Sequence, residues 1–356
     1  MQGLGKTNLR NLLNLFDNDP EAIFNASDKE LLKHYRIGKT LLQRIKFTSK
    51  EIDLFEQKLI LLEDKGINVL PCFSPDYPQR LLRCNDYPPF IYRKGNTNLN
   101  PQYSLAIVGT RNATELGKLH CKKIIEAIAP YKPLIVSGMA LGIDGTAHKE
   151  ALSYKLDTVA ILGHGLNFIY PNQHKDLAKK IIAKNGSLIS EYDIDQGPEK
   201  GFFAERNRLI AGMVDAVIVV EAAIKGGAHI TAELAIGYHR DVFAIPGRPE
   251  DIYSQGCNKL IKENKANLIE SGEDIADLLG WSMPNQKKAI QRSLLPDLNH
   301  EQALIYEQLL QKGTAIHIDE LSYKTNLLPA KLSGILTEME ILGIVRSLPG
   351  KHFEYV

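Results

Sequence analysis

The segment KGFFAERNRLIAG, Lys200 to Gly212, sets three bases, two aromatic rings and an amide within one helical length. Lys200, Arg206 and Arg208 stand beside Phe202 and Phe203, and Asn207 carries the donor and acceptor needed to reach a base edge. Basic groups interleaved with aromatics suit single-stranded nucleic acid, because charges follow the phosphates and a ring offers a stacking surface. Stacking contributes about 1–3 kcal/mol per base. The same residues also admit a structural role, with the phenylalanines in a core and the arginines paired to acids such as Glu205 or Glu221.

Three turns favour the nucleic-acid reading. Gly109-Thr110-Arg111 closes an apolar run and opens a helix, so a phosphate there would meet a helix start and a two-pronged guanidinium. SGMALGID offers Ser137, Gly138, Met139, Ala140 and Gly142 as a tight backbone loop, and KGGAHITAE adds Lys225, Gly226, Gly227 and the Thr231 hydroxyl. Glycine-rich turns running into helix N-termini present several N–H donors to an anion. The dinucleotide fingerprint is missing, since only Gly109 serves the first turn and Gly117 lies too far into the following helix. Asp144 and His148, four apart on a predicted helix, could face each other for acid–base work. No G-x-S-x-G elbow, Walker A or H-E-x-x-H motif accompanies them. A nucleotide hydrolase using Asp144, His148 or Glu221 as base, and a pure assembly scaffold, are the competing readings.

All these turns end strands of one predicted sheet. Six apolar runs, SLAIVG, PLIVSG, TVAILG, SLISEY, AVIVVEA and DVFAIPG, recur roughly every 25 to 30 residues without alternation, as strands buried on both faces do. Helix-length segments separate them, such as Glu115–Ala129 with Leu116, Leu119, Ile124, Ile125 and Ile128 as its apolar positions. That pattern predicts a doubly wound parallel sheet, whose ligands bind beyond the strand carboxyl ends. Residues 1–65 read as a Leu-rich helical domain in which GLGKTNLRNLL echoes RIGKTLLQRI, the turn of a helix-hairpin-helix unit. Residues 66–103 read as short strands and turns leading into the sheet, 281–300 as a linker, and 301–356 as three helices and a hairpin turning at Pro349-Gly350, a winged helix. Its third helix carries Lys331 as its one base.

The chain of 356 residues has a net charge of +1, so nucleic-acid binding must rest on bases gathered locally. Four scattered cysteines, Cys72, Cys84, Cys121 and Cys257, fit neither structural zinc nor a disulfide framework and suit a reducing cytoplasm. There is no signal-peptide pattern and no apolar run long enough to span a membrane.

Taken together, AIVGTR, SGMALGIDGTAHKEAL, TVAILGHGLNFIYPNQHKDLAKKI, GSLISEY, FFAERNRLIAG, ITAELA and VFAIPGRPEDIYSQGCNKLI resemble the DNA-processing protein A (DprA/Smf) family over residues 66–280. The resemblance implies an extended Rossmann-like domain flanked by an N-terminal SAM or helix-hairpin-helix-like domain and a C-terminal winged helix. It also implies a cytoplasmic, cofactor-free, metal-free and non-enzymatic homodimer that binds single-stranded DNA and loads the RecA recombinase during natural transformation, away from membranes. By motif, Gly109-Thr110-Arg111 is expected to hold a phosphate, and Phe203 to Arg208 stands for the family's F-P-x-R-N-R, with Ala204 replacing the proline. Lys225 to Ala228 departs from the family's serine-containing turn and adds a charge. The family's dimer helix maps to Gly256–Ile269, giving Asn258, Leu260, Ile261 and Leu268 as interface residues, with Asn264-Lys265 where a glycine is common.

Overall fold

The computed structural model describes residues 5–33, 38, 42–43, 45, 49–282, 298–312, 315–348 and 350–355. It divides into two compact units, Met1–Pro284 and Asn285–Val356.

The six expected strands form the body of the first unit: β3 (Ser104–Val108), β4 (Leu134–Ser137), β5 (Thr158–Leu162), β6 (Ser187–Ser190), β7 (Ala216–Val219) and β8 (Asp241–Ala244). The segment before them supplies β1 (Ile67–Pro71) and β2 (Phe90–Gly95), and a short β9 (Asn267–Leu268) follows. The order across the sheet is β1-β2-β6-β5-β4-β3-β7-β8-β9. Neighbours are parallel from β6 to β9, and β1 and β2 add an antiparallel edge. Chain order reverses between β3 and β7, which makes their carboxyl ends the topological switch point.

Every residue of β3, β4, β5, β6 and β7 is buried, as two covered faces require. The pleat sends Leu105 and Ile107 of β3 toward Ile124, Ile125 and Ile128 on one face. Ala106 and Val108 point the other way, into the cluster of Leu209 and Ile210. Each large apolar side chain so buried contributes about 1.5–3 kcal/mol.

Helices α1 (Lys6–Leu15), α2 (Pro20–Asn25), α3 (Asp28–Lys33), α4 (Ser49–Asp64) and α5 (Gln79–Leu82) precede the parallel sheet. Leu12, Leu13, Ile23 and Leu31 of this region join the same apolar cluster as strand residues Val136 and Val217. Residue 65 is thus a change of element type within one shared core. Of the two Gly-Lys-Thr turns on which the hairpin resemblance rests, the first stands at the start of α1, with Gly5 as its N-cap and Lys6 as its first residue, whereas Lys39 and Thr40 of the second lie outside the described residues.

Around the sheet run α6 (Glu115–Ile128), α7 (Ile143–Ser153), α8 (Lys175–Ala183), α9 (Lys200–Gly212), α10 (Gly227–Gly237), α11 (Gln255–Lys262) and α12 (Gly272–Leu278). One expectation for α6 needs correcting. Its buried face is Gly117, Cys121, Ile124, Ile125 and Ile128, spaced at helical period, whereas Leu116 and Leu119 are exposed.

The second unit holds α13 (His300–Lys312), α14 (Ile318–Thr325) and α15 (Pro329–Ile341), with a three-stranded sheet ordered β10 (Ile316–His317), β12 (His352–Tyr355), β11 (Val345–Leu348). Leu309, Leu321, Leu332, Leu336 and Met339 are fully buried at its centre. This is the winged helix expected; Pro349 of its turn and residues 283–297 of the expected linker lie outside the described residues. Lys331 on the third helix is paired with Glu301.

A candidate nucleic-acid interface at the switch point

A cleft of about 710 Å³ opens over the carboxyl ends of β3 and β7. Of the expected residues, Gly109, Thr110, Arg111, Ala140, Lys200, Phe203, Arg206, Asn207, Lys225, Gly226, Gly227 and Thr231 line it. Arg111, Lys200 and Lys225 are exposed and make no ion pair with another described residue. The Arg111 guanidinium lies 5.9 Å from the centre of the Phe203 ring.

Helical geometry decides which residues of α9 reach the cleft. Lys200, Phe203, Ala204, Asn207 and Ile210 fall on one face at spacings of three and four, and all line it. Arg208 is only two positions from Arg206 and therefore points elsewhere. It pairs with the buried Glu191 and donates to the Asp86 carbonyl at 2.6 Å. Lys6 of α1 reaches the same Glu191 carboxylate at 2.9 Å. The expectation of a DNA-binding Arg208 is corrected accordingly: its guanidinium belongs to a buried ion pair.

Arg206 needs a second correction. It touches the cleft floor, but its side chain is buried and committed to the protein. One guanidinium nitrogen donates to the carbonyls of Gly138, at 2.6 Å, and of Ile161, so the residue ties α9 to the ends of β4 and β5. Burial lowers its pKa to about 10 although Asp144 opposes the shift, and it stays charged at neutral pH. Burial raises the pKa of Asp144, against the pull of the Arg206 charge.

The loop after β4 is filled from within. Asp144 Oδ2 accepts the backbone N–H groups of Gly138 at 3.1 Å and Ala140 at 3.4 Å. Ser137 is buried and donates its hydroxyl to the Ile107 carbonyl. Met139 is buried with φ at 61°, its carbonyl held 2.8 Å from His174 Nδ1. Gly142, at φ 77°, packs against the Thr110 carbonyl. Ser137, Gly138, Met139 and Gly142 are therefore a structural turn filled by the Asp144 carboxyl group, not a free phosphate seat. Nor do Asp144 and His148 form a dyad. His148 is fully buried against the Thr158 hydroxyl at 2.7 Å, and burial lowers its pKa to about 3.

The first turn is occupied in the same way. Glu221, at the end of β7, accepts the Thr114 N–H at 2.9 Å and its hydroxyl at the amino end of α6. A Cβ on Gly117 would collide with this carboxylate, and one on Gly109 would collide with Ile143. Both glycines serve packing, and the place where a dinucleotide's pyrophosphate would sit is taken.

The amino end of α10 differs. Gly226 supplies no side-chain cap, leaving the first N–H groups of the helix open. A Cβ on Gly226 or Gly227 would meet nothing nearer than 3.8 Å, so the protein's own packing requires neither glycine. The room they leave faces the cleft beside Lys225, and Asn207 Nδ2 and the Thr231 hydroxyl hold the Gly227 carbonyl at 3.3 and 3.0 Å. Of the three candidate anion turns, this one is open.

The residues expected at a dimer contact separate. Leu260 is fully buried in the core, which corrects its assignment to a surface. Asn258 clasps Gly247 through two hydrogen bonds of 3.1 and 2.8 Å. Ile261 is half-buried and Leu268 exposed. Asn264 takes a left-handed φ of 55°, the conformation that favours glycine and that asparagine tolerates.

The sequence reading missed Tyr170 and Tyr253, which also line the cleft. Tyr253 accepts from Asn112 Nδ2 at 3.0 Å, and Tyr170 lies against Phe203. Their signal was positional, since each follows a strand carboxyl end within a loop.

Residues 68–280 match the family model of DNA recombination-mediator protein A, and residues 291–351 match a DprA winged helix domain. The chain is 33% identical over 315 residues to the Smf protein of Escherichia coli, covering 88% of this chain and 84% of that one. It is 40% identical over 229 residues to the DNA processing protein DprA of Streptococcus pneumoniae, covering 62% and 80%. The X-ray structure of that Streptococcus protein superposes with a TM-score of 0.64 at 30% identity, over 79% of this chain and 94% of the other. A Helicobacter pylori structure, described for its single-stranded DNA binding mode, gives a TM-score of 0.54 at 33% identity, over 60% and 95%.

Proposed function

Because this chain belongs to the DNA recombination-mediator protein A family, we propose that its cleft binds single-stranded DNA and that the protein delivers the strand to the RecA recombinase during natural transformation. The observation that carries the reading is the cleft itself. Three cations that pair with no other described residue, Arg111, Lys200 and Lys225, line the cleft with Phe203 and the open start of α10. Several cations beside an aromatic ring suit a polymer, whose phosphates recur along a strand while its bases find rings to stack on. The likeness to the Helicobacter protein studied for single-strand binding supports it. Protection of incoming DNA, a homodimer using the exposed surface near Ile261 and Leu268, a cytoplasmic site and a role without catalysis complete the proposal.

The test is a salt-titrated binding assay on a labelled oligothymidylate, with nucleotide hydrolysis as control. Arg111→Ala and Lys200→Ala should each weaken binding and reduce the slope of log K against log salt by about 0.7, one phosphate contact on a single strand. Phe203→Ala should lose about 5- to 150-fold in affinity at an unchanged slope, the equivalent of about 1–3 kcal/mol of stacking. Variants that bind like the parent would remove the site, and nucleotide turnover lost on Asp144→Asn would replace the reading with the hydrolase.

A further inference from the structure

Tyr170 stands at the end of the loop that follows β5, and its ring is 47% exposed. Nothing in the loop's own folding calls for a large exposed ring there. The loop is fixed by other contacts: Gly165 N–H donates to the Gln196 carbonyl at 2.7 Å and Asn167 N–H to the Ile194 carbonyl at 3.1 Å. Ser190 donates its hydroxyl to the His164 carbonyl at 2.7 Å, and Leu166 is buried below. A rigid loop thus holds an aromatic side chain at the lip of the cleft, 5.4 Å from the Phe203 ring and tilted 39° to it. Gly163 makes this approach possible, since a Cβ there would stand 3.0 Å from the Phe203 ring and 3.2 Å from the Phe202 backbone.

We propose that Tyr170 is a second base-stacking platform, receiving a base further along the strand from the one on Phe203. This rests on the single-strand reading above and extends it. A base sandwiched between two rings needs about twice the 3.4 Å step of stacked nucleotides. The 5.4 Å between Tyr170 and Phe203 leaves no such slot, so each ring offers its own outer face. Bases on the two outer faces stand about 12 Å apart, the 5.4 Å between the rings plus a ~3.4 Å stack on either side, which is more than one nucleotide step, so they belong to an extended strand and not to a stacked duplex.

The placement also gives the strand a direction of travel. Lys225 and the open α10 start follow β7, Arg111 follows β3, and the Tyr170 loop follows β5. From β7 through β3 and β4 to β5 is three inter-strand spacings of about 4.8 Å, or roughly 14 Å across the sheet edge. The strand crosses the switch point from the phosphate-binding side to the aromatic side.

The experiment uses the full chain. In the parent, an oligonucleotide carrying 5-iododeoxyuridine should photocross-link to Tyr170 as well as Phe203, identified by mass spectrometry. Tyr170→Ala should weaken oligothymidylate binding about 5- to 150-fold, matching about 1–3 kcal/mol of stacking, with the salt slope unchanged. Tyr170→Phe should keep parental affinity. Cross-linking to Phe203 without Tyr170, or Tyr170→Ala binding like the parent while Phe203→Ala is impaired, would overturn this inference and leave the single-strand reading standing. A parent that binds no single strand would overturn both.

Discussion

Replacing Arg206 with alanine should unfold the protein more readily without removing a phosphate contact. The guanidinium holds two carbonyls, on Gly138 and Ile161, and faces Asp144 across Gly138. Its removal leaves both carbonyls without this donor and a buried carboxylate without its compensating charge. Each buried acceptor left unsatisfied costs about 1–3 kcal/mol, and breaking a buried charge pair from one side about 3–5 kcal/mol. The two routes agree on about 3–5 kcal/mol. For a unit of this size each kcal/mol moves the melting temperature by about 2–4 °C, so Arg206→Ala should melt about 6–20 °C below the parent. Differential scanning fluorimetry measures the shift, and the salt slope of single-strand binding is measured well below the melting range. An Arg206→Ala protein that melts with the parent but loses about 0.7 from the slope would refute the assignment, because that is the signature of a phosphate ligand.

Lys225→Ala should do the reverse, losing about 0.7 from the salt slope with melting unchanged, since the side chain is exposed at the open helix start. Leu260→Asp should abolish soluble folded protein and so fail as a probe of dimerisation, as seen in expression and gel filtration; a folded monomer would contradict its place in the core. His148 is buried neutral, with a pKa lowered from 6.5 to about 3, so the unfolded chain binds the extra proton between those values. Stability contributed by this residue is therefore present above pH 6.5 and lost on acidification, by about 1.4 kcal/mol per pH unit between pH 6 and pH 4. Denaturant titrations of the parent and His148→Gln should show that slope in the difference; parallel curves would show that the imidazole is not the group involved.

The sheet was legible because burial on both faces leaves strands with no polar alternation, and β3 to β8 fall where the apolar runs lie. The cleft's location followed from the order of those runs. Its inner accounting did not. Arg206 and Arg208 look equivalent in R-N-R, and only the angular step of a helix separates a cleft-floor residue from one facing Glu191. SGMALGID and GTR look like open cradles, because nothing in their spacing tells that Asp144 and Glu221 turn back to fill them. Leu260 sits in a helix that buries Gly256, Cys257 and Leu260 and exposes Lys262, and a sequence shows the stripe but not which side is covered. Tyr170 escaped notice because its partner, Phe203, is thirty-three positions away and meets it only through the packing of α9 beneath β5.

The two inward-turned carboxylates have a consequence for competition. With the Asp144 and Glu221 carboxyl groups accepting the N–H groups of two turns, the open helix start of α10 is the turn left for a free nucleotide's phosphates. On the proposed single-strand reading, a strand would also engage Arg111 and Lys200, each contact raising the effective concentration of the next phosphate at its own cation. Avidity, not recognition of a particular nucleotide, then sets what the cleft retains. Affinity should climb steeply with oligonucleotide length until the cations and rings are all engaged, while ADP displaces nothing. On that reading, a cleft with two of its own seats filled would in effect count phosphates.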